Sequence, residues 1–328
     1  MWKQRQAEHA GVLISRTINY KAQHCFVRLL SAPYIIGLCL CLLSTATLLG
    51  QERSAFGQWI RGDVYDGEMP LRTSHTKLLF GIGATGVEDA YLSEITHSGL
   101  KFSILAQTDY PLKDCGSKWH LYQEAGVWGG LPANPANGSV MYQIGGRYSL
   151  GAAWRALMWK GFSVDLAPML TAFVQGHLKL TNINNVTSIK ASFGLDAWGR
   201  VRYRLPIASF PLSVQYSLRM PLIHAAFAPN YGQSYYEFVA SDPEKLDIKF
   251  QPVSFGNHFG VEQHLLIDLP IRHFTLTIGA GHRYHSELLN DLRYREGTWM
   301  GLLGVSFDLF SLSGGRALGS GSVHNALD

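Results

Sequence analysis

Between residues 188 and 205 the chain alternates almost without error. Ile189, Ala191, Phe193, Leu195, Ala197, Gly199, Val201, Tyr203 and Leu205 take the odd positions, while Lys190, Ser192, Asp196, Arg200, Arg202 and Arg204 fall on the even ones. A period of two sends these sets to opposite faces of one extended strand. Strands of soluble domains usually run about 5 to 6 residues, and this run is roughly three times as long. Length, one apolar face and one charged face together suit a membrane β-barrel, whose lipid side is apolar and whose lumen is polar.

The same alternation recurs along the chain. It predicts strands near 76–84, 99–110, 118–129, 140–149, 161–180, 188–205, 212–220, 259–269, 274–280 and 299–310. Pro111 ends the second, because proline cannot donate to a ladder, and Pro168 predicts a bend or bulge in the fifth. Connections after even-numbered strands read as short and those after odd-numbered ones as longer, the pattern of a barrel with both ends in the periplasm. The expectation is an all-β, antiparallel transmembrane barrel of about 10 strands, or 12 if a further hairpin hides in the lead-in or in the long connection at 223–252.

Residues 1–50 read as a separate object. Lys3, Arg5, Arg16, Lys21 and Arg28 precede an apolar run at 34–43 and then small residues, the order of a signal peptide. An uncleaved anchor is the alternative reading. Residues 51–75 read as a periplasmic lead-in, 76–310 as the barrel and 311–328 as a flexible Gly- and Ser-rich tail.

Removing the leader changes what charge and cysteine mean. Five of the 28 basic and one of the 24 acidic residues lie within 1–50, which leaves 23 of each. The basicity therefore belongs to targeting and gives no support to nucleic-acid binding. Cys25, Cys39 and Cys41 go with the leader, leaving Cys115 alone, so no disulfide framework is expected. Leucine precedes Cys39 and Cys41 where lipid attachment calls for a small residue. Charged residues make up 16% and the mean hydropathy is +0.02, too low for a helical membrane bundle.

Several segments carry a resemblance: GIGATGVEDAYLSEITHSG (81–99), GLDAWGRVRYRLP (194–206), FAPNYGQSYYEF (227–238) and the closing strands. They resemble an uncharacterised Bacteroidota family of predicted outer-membrane β-barrels, known only as a domain of unknown function. The resemblance implies fold and bacterial outer-membrane location, and it transfers no catalytic residue.

Candidate chemistry concentrates on the polar faces. Lys190, Asp196, Arg200, Arg202, Arg204, His258, Glu262, His264 and Asp268 are expected to form a lumen network, since charges inside a narrow barrel need partners. His258, Glu262 and His264 share a face and have the alternative of binding a metal. In HRYHSE (282–287), His282 and His285 fall on opposite faces of a strand, so a rim Ser/His site of a lipid-modifying enzyme is the less favoured reading. Tyr231, Tyr235, Tyr236 and Glu237 form a candidate binding loop, or the tyrosines join an interfacial girdle. The glycines of GIGATG (81–86) lack the Lys-Ser/Thr of a phosphate loop and fit a crowded, curved strand.

The sequence thus predicts a non-enzymatic outer-membrane barrel with a narrow polar lumen and a structural, binding or narrow-conduit role. No metal or other cofactor is expected, and the partners are outer-membrane lipid and the barrel-insertion machinery, which would read the terminal aromatic strand.

Overall fold

The structure, a computed structural model, describes residues 71–112, 118–183, 185–205, 212–230, 250–271, 274–310 and 323–325. The leader at 1–50, most of the lead-in, most of the tail and the tyrosine loop lie outside the described residues.

Ten long strands run antiparallel in chain order: β1 (Leu71–Asp89), β2 (Ser93–Pro111), β3 (Trp119–Ala133), β4 (Tyr142–Trp159), β5 (Phe162–Leu178), β6 (Thr187–Arg204), β7 (Ser213–Phe227), β9 (His258–Ile271), β10 (Phe274–Leu289) and β11 (Leu292–Phe310). Each pairs with its neighbour, and the last closes on the first from Thr73 opposite Phe310 to Asp89 opposite Tyr294. The result is a closed barrel of ten strands, each between 14 and 19 residues long. Closure gives each of the ten long strands a partner on both sides, the arrangement that hydrocarbon requires of a spanning sheet. The short β8 (Gln251–Ser254) extends the sheet beside β7, and β12 (Val323–Asn325) pairs in parallel with the start of β1.

The ten strands are those the alternation predicts, but most are longer. β1 starts inside the segment read as a lead-in, and the tail read as flexible contributes β12. The expected contrast of short and long connections holds only in part. At the end opposite the chain termini, β1 and β2 are joined through 90–92, and β10 and β11 through Asn290 and Asp291 alone. Those two residues have φ of 52° and 60°, as do Lys160 and Gly161, at 43° and 83°, at the other end. Two consecutive positive φ values define the tight hairpin that matches strand twist. Polar residues near these hairpins read as loop because they sit on strands whose inner face is polar to the end. Pro168 sits in β5 without a register shift toward β6, and the bulge lies in β4 between Arg155 and Leu157.

The two faces divide by parity. In β1, Lys77 is 2% exposed and Phe80 54%. Phe80, Ile82, Phe102, Leu195, Phe193 and Leu303 all point outward, while 38 polar or charged side chains among the described residues are buried inside. The core is therefore inverted relative to a soluble protein. Its interior is mostly polar, interrupted by an apolar layer of Leu79, Leu105, Leu266 and Leu302 and by a cluster around Tyr122, Met169 and Trp198.

Candidate functional site

Among the described residues, chemically able side chains converge in the barrel interior, which is organised in levels. Nearest the chain termini, Arg200 on β6 donates to Asp109 on β2 through Nη1 (2.8 Å) and Nη2 (2.7 Å). The same guanidinium donates to Asp165 through Nε (3.0 Å) and Nη2 (2.8 Å), and Arg155 Nε donates to the other Asp165 oxygen at 3.2 Å. Such forked contacts suit the planar guanidinium. Beside them Lys77 Nζ donates to Asp268 (2.6 Å) and to Gln215 (3.2 Å), and Thr277 and Ser213 hydroxyls complete the carboxylate of Asp268.

At mid-height Glu124 accepts from Arg219 (2.7 Å), Arg147 (2.6 Å), Gln107 and Tyr122. Arg147 also grips Glu262 with both terminal nitrogens, and His264 Nε2 lies 3.4 Å from a Glu262 oxygen. Asp196 accepts from Thr171 and pairs with His224, each at 2.7 Å.

Toward the opposite mouth Lys101 is ion-paired with Glu296, which also accepts from Gln143 (3.0 Å) and Tyr294 (2.8 Å). Gln175 on β5 donates to the Tyr294 hydroxyl on β11 at 2.5 Å. His177 and Lys190 reach Asp89 at 3.1 and 3.5 Å. Arg283 lies over the rings of Trp128 and Phe173, at 4.7 and 5.0 Å.

A cavity of about 60 Å³ opens among these levels, lined among others by Arg147, Asp196, His224, His258, Glu262 and His285. Its lining carries donors and acceptors on all sides, so it suits water or a small polar guest, with room for roughly four waters.

Eight of the nine residues expected in the lumen network face inward: Lys190, Asp196, Arg200, Arg202, His258, Glu262, His264 and Asp268. The ninth, Arg204, has the same parity but ends β6 at the rim, opposite Ser213, where its side chain is exposed. Their partners come from other strands: Glu262 takes Arg147, and Arg200 takes Asp109 and Asp165. Alternation assigns a face but no height, and the stagger between strands sets which charges share a level. Asp109, Asp165, Glu124, Arg147 and Arg219 were legible as inward by parity, yet no local motif marks them.

The metal reading of His258, Glu262 and His264 does not hold as a set. His264 pairs with Glu262, whereas His258 Nδ1 lies 3.2 Å from Glu287. His282 and His285 do take opposite faces: His282 packs on outward Trp299, with ring centroids 4.2 Å apart and planes tilted by 37°, and His285 is buried inside. Ser286 shares the outward parity of His282, so Ser286 and His285 form no dyad. Tyr231, Tyr235, Tyr236 and Glu237 lie outside the described residues.

Several solved structures are similar to this chain. The outer membrane protease OmpT from Escherichia coli is 7% identical, with a TM-score of 0.44 over 72% of this chain and 97% of that one. The transport unit of the autotransporter AIDA-I from Escherichia coli is also 7% identical, with a TM-score of 0.40 over 78% and 98%. The translocator domain of NalP from Neisseria meningitidis is 8% identical, with a TM-score of 0.37 over 81% and 97%. No curated protein matches the chain. Residues 36–316 match a family described as a protein of unknown function, DUF3316, and the chain therefore belongs to that family.

Proposed function

We propose that the protein is an integral barrel of a Gram-negative, Bacteroidota-type outer membrane, with a structural or binding role and a lumen too full to serve as an open pore. Lipid covers the outward apolar face in this reading, and the end where β1 begins and β11 ends lies in the periplasm. β11, which ends at Phe310, is the strand offered to the insertion machinery.

The observation that carries the reading is the hydrogen bond from Gln175 to Tyr294. In the ring β1-β2-β3-β4-β5-β6-β7-β9-β10-β11, strands β5 and β11 stand opposite each other. A side-chain bond between opposite walls blocks the bore at that level. The contacts from Arg147 to Glu262, Arg200 to Asp109 and Lys190 to Asp89 cross it at others. Barrels of about eight strands are filled by side chains, and aqueous channels need about sixteen. Ten strands with ion-paired arginines inside belong with the filled class.

Membrane fractionation and heat-modifiable migration on gels test the location, and planar-bilayer recording tests the lumen. The purified chain is expected in the outer-membrane fraction and electrically silent in salt. Steady, stepwise conductance from the unaltered chain would contradict the filled-lumen reading, and a freely soluble compact monomer would contradict the membrane reading.

A further inference from the structure

Three ligand-type side chains that are far apart in sequence meet on the inner wall near the β10–β11 hairpin. The register of β9 against β10 sets His258 opposite Glu287 and His285 opposite Gly260. His285 and Glu287 are two residues apart on β10 and so share a face. His258 Nδ1 lies 3.2 Å and His285 Nε2 3.7 Å from the same Glu287 oxygen. The two imidazole rings stand 4.8 Å apart at 68°, and one ligand atom from each of the three residues lies within 4.8 Å of the others.

We propose that His258, His285 and Glu287 bind a first-row divalent transition-metal ion, zinc being the type case. Zinc sits about 2.0 to 2.2 Å from imidazole nitrogen and carboxylate oxygen, which puts tetrahedral ligands roughly 3.3 Å apart. The 3.2 Å separation already matches, and a side-chain adjustment must bring His285 slightly closer to Glu287 and draw the imidazoles together. Two nitrogens and one carboxylate favour the later first-row ions over calcium or magnesium, which take oxygen ligands.

His285 supplies the independent observation. Its side chain is buried, 6% exposed, and neither ring nitrogen has a hydrogen-bond partner. A buried polar ring without a partner costs free energy, and other buried histidines here have carboxylates or amides to meet. Aromatic edges hold it in place: Phe173 and Tyr294 pack nearly perpendicular to it at 5.8 and 5.5 Å. His258 is braced in turn by His224, stacked at 5.2 Å, and His224 is anchored by Asp196 at 2.7 Å. That stacking against an anchored ring restricts the plane of the His258 imidazole. His258 and His285 both line the cavity, so a fourth position opens onto polar space where water or a small anion completes the coordination.

The test uses the chain purified from membranes in detergent, stripped with a chelator and titrated with Zn2+ by calorimetry and with Co2+ by visible absorption. One ion per chain is expected, with the cobalt bands of a low-coordinate nitrogen and oxygen site. His285→Ala and Glu287→Gln should each weaken Zn2+ binding by about tenfold or more. His264→Ala, on the same wall, should leave it unchanged, with heat-modifiable migration confirming that each variant is folded. X-ray absorption of the zinc-loaded unaltered chain provides a readout that needs no variant, and two imidazoles in the first shell are expected. Absence of binding in the stripped chain, binding indifferent to His285→Ala, or a zinc shell without two imidazoles would overturn the proposal.

Discussion

Arg200 and Asp109 form a two-pronged contact inside the barrel, Nη1 to Oδ2 at 2.8 Å and Nη2 to Oδ1 at 2.7 Å, although they belong to strands on different sides of the bore. Both side chains are nearly inaccessible, and the rings of Tyr122 and Trp198 stack 5.3 and 5.1 Å from the guanidinium. A charge held this way cannot regain its hydration if its partner is lost. The contact therefore acts as a cross-brace, and the same logic applies to Arg147 with Glu262.

Removing one half of that brace should be costly. Asp109→Ala leaves Arg200 with Asp165 as its one carboxylate, beside His120 Nε2 at 3.2 Å, and is expected to lower stability by about 3 kcal/mol, the lower end for breaking a buried pair. The combined change Asp109→Leu with Arg200→Met should recover only part of the loss, because it removes both halves of the brace while buried Asp165 loses Arg200 and keeps Arg155. Urea titration followed by the shift between folded and unfolded gel bands measures both. Equal midpoints for Asp109→Ala and the unaltered chain would contradict the brace.

The outward face makes a different demand. Leu303 is 56% exposed and lies between Phe80 on β1 and Ile278 on β10 in the register, an apolar band with no polar neighbour in that row. In bilayers, Leu303→Arg should cost about 2–4 kcal/mol if the band sits at the membrane midplane. Ile183→Arg, at an 81% exposed position in the β5–β6 connection, should be near neutral. Folding titrations into lipid vesicles separate the two, and a tolerated Leu303→Arg would mean that water covers that band.

Much of this architecture is written in the chain, and what is missing has a physical cause. The alternation from Ile189 to Tyr203 alone places Lys190, Asp196, Arg200 and Arg202 indoors, and its recurrence yields the ten barrel strands. Height along the bore is not written locally. Nothing near Arg200 announces Asp109, 91 residues away, because the pairing depends on how eight intervening hydrogen-bonded turns and ladders accumulate stagger. The histidine cluster illustrates the same limit. HRYHSE shows that His282 and His285 diverge, but only the β9–β10 register brings His258 to Glu287. Trp198 was hidden for another reason: an aromatic residue among charged ones looks like an interruption, whereas here it stacks on Tyr122 at 4.2 Å and fills the space between charges.

Gly83 tests the seam where the barrel closes. It lies on β1 opposite Met300 of β11, and a Cβ there would come within 2.6 Å of the Met300 Cα and still closer to the Trp299 main chain. Backbone cannot yield as a flexible side chain can, so the two strands must part. Gly83→Ala is expected to cost about 1–3 kcal/mol, as overpacking does elsewhere, and Gly83→Val to leave most of the chain without the compact, heat-modifiable band. Gly297, with nothing within 4 Å of its virtual Cβ, should accept Ala without loss of that band. Comparing folded fractions of the three variants on gels decides the matter, and a fully closed Gly83→Val barrel would refute the close approach.

Tryptophan emission tests whether lipid covers the outward face. Of the 8 in the chain, Trp128 and Trp198 point inward at 8% and 4% exposure, while Trp299 points outward at 65%. Trp119 and Trp154 also point outward and sit directly across from each other on β3 and β4, close to the end bearing the termini, where an interfacial belt belongs. Variants that keep a single tryptophan, the rest exchanged for phenylalanine, should therefore divide into two groups in vesicles of brominated phospholipid. Emission from Trp299, Trp119 or Trp154 should fall strongly, because bromine quenches on contact, and emission from Trp198 or Trp128 should scarcely change. Quenching of Trp198 to the level of Trp299 would place the charged face of β6 against lipid and invert the barrel described above.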